Sequence, residues 1–206
     1  MNAPKNYSQN DEQTHILRAL EGTTGRLLDI GAYAPEAFSN NRALIENGWK
    51  AVLVEPSPGP FQLLMTAYRD NPNVTLVNVA VTPGPSKLTQ WFDSGGDALS
   101  TTSEAHKAKW EAGSSVRFIP MWIHMLSIDD LLLQFGLDFD FINIDVESAN
   151  IGIFRGMPFH LMPKLKVVCI EHDGYTSEVV RTLAPLGFSL VYTNAENAVL
   201  TRITPA

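Results

Sequence analysis

One cysteine stands in the chain, Cys169, inside the apolar run VVCI. No internal disulfide can form, and no basic side chain adjoins the thiol to activate it, so it reads as a buried thiol in a reducing compartment rather than a nucleophile. Long apolar runs are missing too. None approaches the roughly 20 residues that a bilayer span needs, and the polar start MNAPKNYSQNDEQ has no apolar core of the kind a secretory leader carries. Positive charge is scarce: 15 Lys and Arg face 22 Asp and Glu, giving a net charge of -7. A nucleic-acid backbone or an anionic membrane as main partner would ask for a basic patch, and the basic residues are scattered. G-x-S-x-G, H-E-x-x-H and paired-cysteine spacings are also absent, which excludes the common hydrolase and zinc arrangements. The expectation is a cytoplasmic protein that binds neither nucleic acid nor membrane.

What is present is an ordinary globular composition, 45% hydrophobic and 18% charged, in a chain of 206 residues. DEQTHILRALEG has helical spacing, with Ile16, Leu17 and Leu20 on one side and Gly22 as its stop. Buried strands then alternate with helices. RLLDI, KAVLVE, NVTLVNVAV, FDFINID and KLKVVCIEHD read as strands. Residues 36–47, PGPFQLLMTAYRDNP, SIDDLLLQFG, ANIGIFRGM and SEVVRTLAPLG read as helices, with Phe38, Leu44 and Ile45 on the inner face of the first and Ser127 capping the third. Pro185 must end or bend the last helix. FSLVYTN and NAVLTRI form a closing antiparallel pair. This order predicts an α/β fold, a mostly parallel sheet with helices on both faces. Residues 1–25 read as a polar tail and short helix, and residues 26–206 as a single domain. Within it, residues 83–126 break the rhythm as an irregular loop-and-strand insertion, of a length that is usually functional or disordered.

Ligands of such sheets lie beyond the carboxyl ends of the strands, and three acids fall there: Asp29, Glu55 and Asp145. The first turn, DIGAYAP, lacks the glycines that seat a dinucleotide pyrophosphate, and Pro35 removes an N–H that would bind phosphate. That favours a nucleoside cofactor without phosphates over NAD. S-adenosylmethionine needs a close backbone approach at Gly31 and an acid for its ribose hydroxyls, the place of Glu55. Asp29 is placed for its ammonium group.

DIGAYAPEAFSNNRALIENGWKAVLVEPSP, NVTLVNVAV, LSIDDLL and DFDFINIDVES, in this order from residue 26 to the final strands, resemble the successive motifs of the FkbM-type S-adenosylmethionine-dependent methyltransferases. The resemblance implies a class I (Rossmann-like) methyltransferase fold with a seven-stranded sheet and one antiparallel strand. It also implies O-methylation of a small-molecule hydroxyl, on a sugar or natural product. The family's glycines are replaced here by Pro35 and Ser148, which supports a second reading as a catalytically silent nucleoside-binding or protein-interaction module. The cofactor set on this reading is Asp29, Gly31, Ala32, Tyr33, Ser39, Glu55, Pro56 and Asp145. Asp145, Glu147 and His172 form the catalytic set, with Asp145 as general base. If a divalent metal such as magnesium lowers the hydroxyl's pKa instead, Asp145 and Glu171 are its oxygen ligands. In the insertion, GGDALST reads as a lid, with Asp97 and Ser100 as polar contacts and Trp110 as an apolar wall. His124 reads as a core histidine, His106 as an exposed helix residue, and Trp49 and Trp91 as packing. The enzyme class makes a homodimer the expected assembly.

Overall fold

A computed structural model describes residues 5–95, 99–146 and 149–203. Its frame is a seven-stranded sheet in the order β3-β2-β1-β7-β8-β10-β9. The strands are β1 (Arg26–Ile30), β2 (Lys50–Val54), β3 (Val74–Val77), β7 (Phe141–Ile144), β8 (Val167–Glu171), β9 (Phe188–Thr193) and β10 (Asn197–Arg202). All pairs from β3 to β8 are parallel, and β10 runs antiparallel to both β8 and β9. The central strands read as continuous apolar runs because both faces are covered. Leu28, Ile30, Ile142 and Ile144 point into one core layer, whereas Leu27, Phe141, Val167 and Cys169 point into the other.

The first layer is closed by α5 (Ile128–Phe135), α6 (Asn150–Gly156) and α7 (Thr176–Leu183). Ser127 caps α5 as its sequence predicts, its Oγ accepting from the Asp130 N–H at 3.0 Å. A 3-10 turn over Ala184–Leu186 follows α7, the helix break that Pro185 requires. The second layer holds α1 (Glu12–Ala19), α2 (Arg42–Glu46) and α3 (Pro58–Tyr68), with Ile16, Leu20, Leu44, Trp49 and Leu64 buried against the sheet.

The first crossover departs from expectation. Helix α2 starts at Arg42, not at residue 36. Tyr33 and Phe38 adopt left-handed φ angles of 47° and 59°, which a helix cannot contain. Phe38 therefore leaves the core and is 54% exposed, beside the cavity described below.

The stretch 83–126 is more regular than its composition suggests. A second sheet, β4-β6-β5, joins β4 (Ala80–Thr82), β5 (Lys87–Asp93) and β6 (Ile119–Ser127). Helix α4 (Glu104–Gly113) lies between β5 and β6 in sequence, capped by Ser103. Strands β5 and β6 pair antiparallel, setting Trp91 opposite Met121 and Leu88 opposite His124. His124 is solvent-exposed rather than a core residue, because it shares the outward face with Leu88 and Trp122. His106 is half-buried on α4 against Trp110, with ring centroids 6.2 Å apart.

Candidate active site

The carboxyl ends of β1, β2, β7 and β8 open onto a cavity of about 250 Å3. Gly31, Ala32 and Tyr33 follow β1; Glu55, Pro56 and Ser57 follow β2; Asp145 and Val146 follow β7; Glu171 ends β8. The turn before β10 adds Glu196 and the start of β10 adds Asn197, Trp91 comes from β5, and Ser100 follows β5.

Gly31 has a φ of +91°, and a Cβ there would run into the backbone carbonyl oxygen of Asp145. The glycine is thus demanded first by the adjoining β7 chain, whose Asp145 N–H donates to the Ile30 carbonyl at 2.9 Å. The Gly31 and Ala32 N–H groups both donate to the Val54 carbonyl, at 2.9 and 3.0 Å, which fixes the turn over β2.

Glu55 is 5% exposed, and its carboxylate is held from both ends. The Tyr33 N–H donates to Oε2 at 2.9 Å and the Ser57 N–H to Oε1 at 2.7 Å. The Ser57 hydroxyl also hydrogen-bonds to this carboxylate, and the lone-pair capacity left over can take a ligand hydroxyl. Burial pushes the acid up to about 7, against those hydrogen bonds, which favour the charged form.

Asp29 behaves differently. Asn41 Nδ2 donates to its Oδ2, and Asn143 Nδ2 to its Oδ1 at 2.8 Å. Asn40 Nδ2 in turn donates to Asn143 Oδ1 at 3.1 Å. The carboxylate that the sequence assigns to a ligand ammonium is thus the hub of an asparagine network in the cavity lining. Burial raises its pKa to about 6.

Two other assigned residues, unlike Asp29, are not among the lining residues. Ser39 is buried, and its Oγ accepts from the Arg42 N–H at 3.1 Å at the start of α2. His172 is buried with both ring nitrogens engaged: Nδ1 accepts from the Gly174 N–H at 3.0 Å, and Nε2 lies 3.2 Å from the Asn194 carbonyl. The ring thus clamps a turn, with both nitrogens engaged by backbone groups. Asp97, Glu147 and Ser148 lie outside the described residues.

Asp145 and Glu171 are brought together, Asp145 hydrogen-bonding to the Glu171 carboxyl. Glu171 also accepts from Asn150 Nδ2 at 2.5 Å, and the same nitrogen reaches Asp173 Oδ2 at 3.2 Å. Asn150 is fully buried, and its Oδ1 holds the Val146 N–H at 2.6 Å, so one amide positions both strand ends. Burial and the acids Asp173 and Glu196 raise the Glu171 pKa. Among the described residues no group of three or more His, Cys, Asp or Glu is arranged to hold a metal ion. Ser100 lines the cavity, as assigned, whereas Trp110 is not part of its lining.

A family model for the methyltransferase FkbM domain matches residues 29–190, from the first strand end to the closing hairpin. The chain belongs to the FkbM methyltransferase family. The matched span contributes the carboxyl ends of β1, β2, β7 and β8, whereas Glu196 and Asn197 lie beyond it, and the family is S-adenosylmethionine-dependent. No curated protein is significantly similar to the sequence. Among solved structures, the METTL16 MTase domain is 10% identical over 97% of this chain and 68% of its own, with a TM-score of 0.51, a likeness of fold. A human methyltransferase 10 domain containing protein is 10% identical, over 97% of this chain and 82% of its own, at a TM-score of 0.47. The glycopeptide N-methyltransferase MtfA, solved with S-adenosyl-L-methionine, is 11% identical over 100% of both chains, at a TM-score of 0.43. The seven-stranded order with its one antiparallel strand is the class I methyltransferase fold.

Proposed function

We propose that the chain is an S-adenosylmethionine-dependent O-methyltransferase acting on a hydroxyl of a small molecule. The carrying observation is the carboxylate of Glu55, fixed by two backbone N–H groups at the end of β2 with its remaining lone pairs available to ribose hydroxyls. The rest of the lining fits the same cofactor. No Lys, Arg or His is among the described lining residues, which suits a cationic nucleoside and disfavours a pyrophosphate. Pro35 is not among the lining residues; its carbonyl accepts from the Tyr68 hydroxyl at 3.4 Å. The proline therefore supplies no steric ground for the silent-module reading.

Glu55 would hold the ribose, the turn Gly31–Tyr33 the nucleoside body, and Pro56 a wall beside it. When bound, the cofactor supplies an electrophilic methyl group on a sulfonium sulfur. The chain's own task is then to orient a hydroxyl and take its proton. Asp145 is the candidate base: it lines the cavity at the end of β7, and Glu171 beside it can receive or return the proton through their shared hydrogen bond. Asn150 positions Glu171 and the backbone after Asp145. Trp91 and Val146 shield the same space from water.

Calorimetric titration with S-adenosylhomocysteine tests the reading. Micromolar binding is expected, weakened about tenfold or more in Glu55→Gln as one carboxylate oxygen is lost to the ribose. An absence of binding would overturn it.

A further inference from the structure

The segment ahead of α1 has the composition of a polar tail, yet it reaches the cavity. Gln9 is a lining residue, although it precedes the span that the family model matches. Residues 5–11 form no helix or strand, and hydrogen bonds hold them to the body instead. The Tyr7 carbonyl accepts from the Ser39 N–H at 3.0 Å, next to Phe38 of the cavity wall. Lys5 Nζ pairs with Glu36 Oε2 at 2.7 Å, and the Tyr7 hydroxyl donates to Glu46 Oε1 at 3.1 Å. Buried Gln13 of α1 clamps the segment twice: its Oε1 accepts from the Tyr7 N–H at 3.0 Å, and its Nε2 donates to the Lys5 carbonyl at 2.8 Å. The Asn10 N–H adds a bond to Glu12 Oε2 at 3.0 Å. So tied to α1, to α2 and to the turn after β1, the tail is a strap that presents Gln9, itself exposed, at the mouth of the cavity.

Gln9 differs from the other side-chain amides of the lining. Asn143 commits its Nδ2 to Asp29 Oδ1 at 2.8 Å, and Asn197 its own to Glu12 Oε1 at 3.0 Å. The Gln9 side chain makes no hydrogen bond among the described residues, so its two N–H donors are free for a ligand. S-adenosylmethionine needs such a donor. Its amino-acid end carries a carboxylate, and no Lys, Arg or His among the described lining residues can pair with it. With the ribose at Glu55 after β2 and the methyl group facing Asp145 after β7, the cofactor lies across β1, which stands between those strands. Asp145, Glu171 and Glu196 repel a carboxylate from the β7, β8 and β10 side. It turns instead toward the turn after β1 and the strap bonded to that turn. An amide N–H donated to an ionised acceptor there is stronger than one between neutral groups.

We propose that the N-terminal strap closes over the amino-acid end of S-adenosylmethionine and that Gln9 donates to its carboxylate. This rests on the methyltransferase reading. Gln13 is then a positioning residue, acting on the cofactor through the strap.

S-adenosylhomocysteine and methylthioadenosine share the nucleoside, and only the first has the amino-acid end, so the pair isolates the contact. In calorimetric titration of the full chain, Gln9→Ala should weaken S-adenosylhomocysteine about fivefold while methylthioadenosine changes less than about twofold. The substituted side chain is exposed, and the circular dichroism spectrum should not change. Gln9→Glu should weaken S-adenosylhomocysteine further, by about twentyfold, while decarboxylated S-adenosylhomocysteine binds at least as tightly as to the wild type, because the new carboxylate repels one end group and attracts the other. Folded Gln13→Ala should show the same selective loss as Gln9→Ala, and the double variant should add little to it. Equal losses for both nucleosides, no loss in Gln9→Ala, or an unchanged S-adenosylhomocysteine affinity in Gln9→Glu would overturn the Gln9 contact and leave the cofactor reading standing. Wild-type affinity in Gln13→Ala would overturn the strap. A wild-type protein that binds neither nucleoside would overturn the cofactor reading, and the proposal with it.

Discussion

Gly31 shows how one residue can serve a fold and a site at once. Its positive φ and its contact with the Asp145 carbonyl leave no room for a side chain. Gly31→Ala should destabilise the protein by about 3–5 kcal/mol in urea unfolding, since a strained backbone and an overpacked contact add. A loss below about 1 kcal/mol would mean that β7 can shift away at small cost. Asp29 and Glu55 teach a different lesson. Both were legible in the sequence as acids at strand ends, and both lie at the cavity. Only the structure separates them, one tied to Asn41 and Asn143, the other held by backbone N–H groups with lone pairs to spare. Asp29→Asn should therefore disturb the floor rather than delete a ligand contact. We expect a loss of stability of about 1–3 kcal/mol by thermal or urea unfolding, with S-adenosylhomocysteine affinity changing less than in Glu55→Gln. The reverse order of affinities would return Asp29 to the ligand. The signal for this network was available in the strand FINID, where an asparagine interrupts an otherwise apolar run and so requires a buried partner.

Among the elements, the buried parallel strands were the most legible, because a strand covered on both faces writes itself as an unbroken apolar run. The short α2 was not. Left-handed angles at Tyr33 and Phe38 leave no periodic mark, and the apolar Phe38 mimics a core position while facing the cavity. The second sheet was hidden for another reason. Its strands have one face toward the body and one toward water, so Leu88, Trp122 and His124 blur the alternation that would announce them. Helix α1 carries an unexpected task. Glu12 is fully buried and accepts from Asn194 Nδ2 at 2.7 Å and Asn197 Nδ2 at 3.0 Å, tying the helix to the turn between β9 and β10. Further acceptance from the Asn10 N–H at 3.0 Å helps hold its pKa below the ordinary value, although burial opposes this. Glu12→Ala strands two amide donors and should cost about 2–4 kcal/mol. Amide exchange of Asn197, whose N–H rests on Asn194 Oδ1 at 2.6 Å, should accelerate at the same time. Unchanged exchange there would show that the turn holds itself without α1.

The assembled fold concentrates acids at one end of its sheet, and this gives its stability a pH dependence with a defined sign. Buried Asp29 and Glu55 titrate near 6 and 7 when folded, against ordinary values of 3.8 and 4.5. The folded chain thus binds protons that the unfolded chain has already released, so stability falls as pH rises from about 4 through 7. Glu12 acts oppositely: its lowered pKa contributes stability that is present above 4.5 and lost on further acidification. Together these three place the stability maximum of the ligand-free protein in acidic solution, near pH 4. Thermal unfolding from pH 3 to 8 should show that maximum, and Glu55→Gln, which has no proton to lose, should flatten its neutral side by a few degrees. Saturating S-adenosylhomocysteine should flatten it as well, because hydroxyls donated to Glu55 stabilise the charged form and draw its pKa down. Parallel melting profiles for the wild type and Glu55→Gln between pH 4.5 and 7 would show that the Glu55 carboxylate is already fully ionised in the free protein, its two backbone hydrogen bonds outweighing its burial.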